Sequence, residues 1–128
     1  MFPPLPKPLR LVRSNPPNGA AGVSIQLRTI LLVFDQNVVS DNVWNRNKCQ
    51  IEMYHGPNRV AINVARVPDT VDYNQCRNIY VKPLRPLLPW TRYQVVICPE
   101  LESKFGDILG KTVTLTFKTG RRPPEAEE

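Results

Sequence analysis

The sequence predicts an all-β chain, folded as an antiparallel β-sandwich of about seven strands, on three observations. Short runs carry apolar residues at every second position, the pattern of a strand with one buried face. Prolines at 57, 68, 83, 86, 89 and 99 recur too closely for most helices, whose interiors they break. No window of eleven or more residues sustains a 3.6-residue period.

The elements follow in order. Residues 9–14 form a short first strand, stopped by Asn15-Pro16-Pro17-Asn18-Gly19. Residues 25–35 turn Ile25 and Leu27, then Ile30, Leu32 and Phe34, inward. That shift of parity near Arg28-Thr29 predicts a bulge or a bend between sheets. Residues 48–54 align Cys49, Ile51 and Met53 on one face, and His55-Gly56-Pro57-Asn58 reads as a hairpin-like turn. Val60, Ile62 and Val64 point inward from 59–66, and Ile79 and Val81 from 76–82. Tyr93, Val95 and Ile97 share one face of 92–98. The cleanest alternation is 112–118, where Val113, Leu115 and Phe117 interleave with Thr112, Thr114, Thr116 and Lys118. About seven strands in roughly 112 residues match an immunoglobulin-like sandwich. The core should include Ile30, Leu32, Phe34, Val95, Ile97, Val113, Leu115 and Phe117.

Residues 1–8 read as a proline-rich arm, 9–120 as the sandwich domain and 121–128 as a disordered tail. The four prolines in the arm replace the apolar stretch of a signal peptide. The expectation is a chain kept inside the cell, or a piece cut from a longer secreted one. The longest apolar run, Ile30 to Phe34, is far too short to span a membrane. The net charge of +6 is distributed from Lys7 to Arg122 without a block of like charge. It reads as an ordinary solvated surface rather than a nucleic-acid footprint.

Several segments together resemble the bacterial Ig-like domains of S-layer and other surface proteins, of the SbsA type. Pro16-Pro17-Asn18-Gly19-Ala20-Ala21-Gly22-Val23 is similar to that family's opening, and the strand ending in Phe34 follows it. Pro83-Leu84-Arg85-Pro86-Leu87-Leu88-Pro89-Trp90-Thr91-Arg92-Tyr93 is similar to its proline-punctuated strand start. Asp107-Ile108-Leu109-Gly110 and Thr116-Phe117-Lys118-Thr119 resemble its closing turn and strand, with Lys111 in place of the usual Asn. The resemblance covers roughly residues 10–120. It implies a non-catalytic module, usually one of several in a secreted or wall-associated chain. It also implies a cell-surface or extracellular setting, while the lack of an export signal in these residues leaves the cytoplasm open.

Candidate sites are few. Tyr93 follows Leu88-Pro89-Trp90-Thr91 at a strand start, the layout of a tyrosine corner, whose hydroxyl bonds back to the chain upstream. Trp44, Tyr54 and Trp90 are the aromatics that alternation leaves unexplained, and are candidate ligand contacts. By parity Cys49 faces inward, while Cys76 and Cys98 do not, so three free thiols are expected. The single His55 lies in a turn and gives neither a nucleophile–base pair nor a zinc set. Asp35, Asp41, Asp69, Asp72 and Asp107 fall in loops, where Asp is common in turns without binding calcium. The sequence therefore predicts a structural or protein-interaction module, with no catalysis, cofactor, metal, nucleic acid or membrane span. Its partner would be a protein or a surface polymer, and the alternative is a carbohydrate- or wall-polymer-binding module.

Overall fold

Alternating burial sorts the strands into two facing layers. The computed structural model describes residues 8–121; the proline-rich arm and the tail fall outside these residues, save for Pro8 and Arg121. The strands are β1 (Leu11–Asn15), β2 (Ala20–Val23), β3 (Ile30–Phe34), β4 (Ile51–His55), β5 (Asn58–Arg59), β6 (Ile62–Ala65), β7 (Asn78–Pro83), β8 (Arg92–Ile97) and β9 (Val113–Thr119). One sheet has the order β1-β3-β7-β6, the other β2-β9-β8-β4-β5. Ile30, Leu32, Phe34, Ile79 and Val81 from the first sheet meet Ile51, Met53, Val95, Ile97, Leu115 and Phe117 from the second in one continuous core. Val113 packs against its edge.

The fold is thus an Ig-like β-sandwich, with nine strands rather than about seven. One extra strand arises where a predicted strand divides between the sheets, and the other, β2, forms where no strand was predicted. The stretch 59–66 separates into β5, paired with β4, and β6, paired with β7. Val60 marks the crossing, its N–H still donating to Met53 at 2.8 Å. After the turn at 15–19 that the sequence predicts, the chain enters the opposite sheet as β2. There it runs parallel to β9, so the sandwich is not wholly antiparallel. The parity change near Arg28 is therefore a bend between sheets rather than a bulge within one strand. Residues 24–27 make a turn, with Leu27 N–H donating to the Ser24 carbonyl at 3.1 Å, and β3 begins afresh at Ile30.

A seven-residue helix, α1 (Asp41–Asn47), joins β3 to β4 and was not expected from the sequence. It spans under two turns, too few for a period to register. It buries Val43, Trp44 and Asn47. The helix also corrects the placement of two cysteines. Cys49 lies in the turn after α1, with its N–H on the Arg46 carbonyl, and is exposed rather than inward. Cys76 ends a short 3₁₀ turn (Tyr73–Gln75) and is buried, because strand parity does not reach back past Asn78. All three thiols are free.

Strand directions fix two ends. Residues 35–50, 66–77 and 98–112 gather at one, which we call the helix end. Residues 16–29, 56–61, 84–91 and 120–121 gather at the other, the hairpin end. Residue 8 lies at the helix end, where Leu9 N–H donates to Ile108 at 3.1 Å; residue 121 follows β9 at the hairpin end. No helix among the described residues is long and apolar enough to cross a membrane.

Candidate functional site

Pro86 and Pro89 restrict the backbone of the loop between β7 and β8, and its own hydrogen bonds complete the constraint. The Tyr93 hydroxyl accepts from Leu88 N–H at 2.8 Å, five residues upstream. Thr119 Oγ1 accepts from Thr91 N–H at 2.9 Å and donates to the Leu88 carbonyl. Trp90 N–H donates to the Gly120 carbonyl at 3.1 Å. With its backbone held this way, the loop turns apolar side chains outward. Leu84 is 63% exposed, Leu88 52% and Trp90 66%, the last at a φ of +56°.

Between this loop and the β4–β5 hairpin lies a cleft of about 380 Å³. Its walls include Val60, Leu88 and Tyr93, and three nitrogen-bearing side chains line it: His55, Arg59 and Arg85. The His55 ring meets Tyr93 edge-on at 5.8 Å, and Tyr93 stacks on Phe117 at 5.6 Å, which ties the cleft to the core. Arg59 reaches Glu52 only at 4.0 Å, and Arg85 has no ion-pair partner among the described residues.

Charge follows the same axis. Residues 14–29, 54–61, 82–92 and 116–121 hold seven Lys or Arg and no carboxylate. At the helix end, residues 8–10, 35–50, 66–77 and 98–112 hold seven carboxylates against seven Lys or Arg. Among the described residues, the excess read as an ordinary solvated surface is therefore concentrated at the hairpin end, because alternate loops go to opposite ends. Arg92 and Lys118 even stand directly opposite each other on β8 and β9, both exposed.

The residues singled out in the sequence scatter. Trp44 is buried in α1 with the Arg66 guanidinium 5.5 Å from its ring centre, so it presents no face to a ligand. Tyr54 is half-buried on β4 and donates to Glu52 at 2.7 Å; that bond to a carboxylate is the main cause of its raised pKa. Trp90 is exposed on its loop rather than packed beneath it. The three do not form a row. Four of the five loop aspartates serve local structure: Asp35 accepts from Arg10, Asp41 pairs with Arg66, Asp69 accepts from Asn37, and Asp72 caps the 3₁₀ turn. Among the described residues, no three His, Cys, Asp or Glu side chains gather where a metal could be held. Cys98 lies at the helix end, away from His55. The residues that sequence reasoning missed are Arg59 and Arg85. Their signal was the lack of any acidic residue in alternate loops.

No curated protein matches the sequence at significant similarity. Among solved structures, the LD transpeptidase LdtMt1 in complex with imipenem aligns over 91% of this chain and 41% of its own, with 21% identity and a TM-score of 0.54. The N-terminal part of the bacterial S-layer protein SbsC aligns over 89% of this chain and 24% of its own, with 12% identity and a TM-score of 0.60. SbsC domains 1–6 align over 91% and 14%, with 10% identity and a TM-score of 0.57. The chain thus spans less than half of each of these structures, and at such identities the likeness concerns the fold. The family model for the bacterial Ig-like domain matches residues 6–119, nearly the whole described chain. The chain belongs to the bacterial Ig-like domain family.

Proposed function

We propose that this chain is a non-catalytic structural and protein-interaction module of a surface or envelope protein, set in series with other domains. The observation that carries the reading is the path of the backbone, which reaches the sandwich at the helix end and leaves it at the hairpin end. A domain threaded this way extends a string lengthwise and keeps its side faces free. The S-layer neighbours support a surface setting. The apolar, basic surface at the hairpin end supports an interaction role.

Two copies joined head to tail and measured by small-angle X-ray scattering test the serial arrangement. An elongated pair about twice the length of one copy is expected. A pair folded side by side overturns it. The exposed indole of Trp90 favours one second reading, a module that binds wall glycans. Titration with soluble glycan fragments at millimolar concentration supports that reading by a shift in tryptophan fluorescence and ends it by none.

A further inference from the structure

We propose that the cleft at the hairpin end binds an acidic polypeptide segment, one in which carboxylates alternate with apolar side chains. The inference rests on the reading of the chain as a protein-interaction module, and it names the partner's chemistry. Three observations converge on it. The cleft has the volume of a binding pocket, and it combines apolar walls with Arg59, Arg85 and His55. Among the described residues Arg85 has no ion-pair partner and Arg59 has a distant one, so both guanidiniums remain available to an outside carboxylate, which they match in planar, two-pronged geometry. Around the cleft, an end whose described residues carry no carboxylate also exposes Leu84, Leu88 and Trp90 on a loop whose backbone is fixed in advance. Trp and Arg on a rigid frame are the residue types that dominate protein interfaces.

The opposed Arg92 and Lys118 point the same way. Like charges facing each other across two strands destabilise a sheet. The fold carries that cost at the end where an anionic partner would relieve it. A phosphate polymer would satisfy the charges but would leave Leu84, Leu88 and Trp90 in water. An acidic and apolar polypeptide uses both.

The test is calorimetric titration of the full chain with a random copolymer of glutamate and tyrosine, with polyglutamate and polyphosphate as comparisons at matched salt. The copolymer should bind more tightly than either comparison. The double variant Arg59→Ala/Arg85→Ala should weaken copolymer binding about tenfold, roughly 1.4 kcal/mol. The control variant Lys48→Ala/Lys111→Ala removes the same charge at the helix end and should leave binding unchanged. Both pairs are exposed, and thermal melting checks that each variant folds. The proposal is overturned if the copolymer does not bind, if polyphosphate binds as tightly, or if the two double variants weaken binding equally. Should the copolymer fail while two linked copies stay elongated, the inference falls and the serial module stands.

Discussion

Trp90 sits at a φ of +56°, where a side chain crowds its own backbone, yet its indole is 66% exposed and gains little from packing. Asparagine tolerates that conformation better. Trp90→Asn should therefore raise stability by about 1 kcal/mol in denaturant unfolding. An unchanged or lower midpoint would show that the indole is held by contacts worth more than the strain. The thiols give a second test. Burial pushes the Cys76 thiol pKa up, and burial with the nearby Glu52 and Glu100 carboxylates does the same for Cys98. The folded chain then keeps these protons longer than the unfolded one. Their contribution to stability is complete below the unfolded thiol value, roughly pH 8.5, and is lost as the pH rises from there through the higher folded value. Melting temperatures should fall above that pH, and Cys76→Ala should flatten the fall. An alkylating reagent should modify exposed Cys49 first and buried Cys76 last. Neither rank was legible in the sequence. Both residues lie just before a strand, where alternation no longer governs which way a side chain points.

At the scale of elements, one side chain of α1 bonds the helix to two other segments of the sandwich. Asn47 is fully buried; its amide donates to the Val38 carbonyl at 2.8 Å and the Glu102 carbonyl at 2.7 Å, and its oxygen accepts from Glu102 N–H at 3.0 Å. The helix, the segment after β3 and the loop after β8 therefore meet on a single residue. Asn47→Ala leaves those backbone groups without partners in a buried setting and should cost about 3 kcal/mol. A loss below about 0.5 kcal/mol would mean that water replaces the amide without penalty. The Arg92 and Lys118 pair predicts the opposite sign. Lys118→Glu turns a like-charge contact into an attractive one and should raise stability by about 0.5 kcal/mol, an increase that salt diminishes. The interior of each long strand was legible: β9 buries Leu115 and Phe117 as its period required. The division at β5–β6 and the short strand β2 were not. A strand that changes partners keeps its apolar residues pointing at the same core, so the pattern of 59–66 continues across the break, while Ala20–Val23 has no buried residue to mark a period.

For the whole molecule, the property hardest to read in one dimension was the distribution of charge. Arg28, Arg59, Arg85 and Lys118 are far apart in sequence and come to one end because the topology returns there with every second connection. The Ig-like architecture was legible because it needs only the number, length and polarity of strands. The basic cleft was not, because it needs to be known which loops are neighbours. The path of the backbone has a mechanical corollary. Pulling outward on the chain on both sides drags β1 and β9 lengthwise past the strands they pair with. The six residue pairs from Arg92↔Lys118 to Ile97↔Val113 then resist in concert, instead of parting one by one like a zip. Stretched between tethers at residues 8 and 121, a single molecule should hold and then rupture in one abrupt event. Tethered instead across neighbouring strands, so that β9 is peeled sideways, it should give way at markedly lower force.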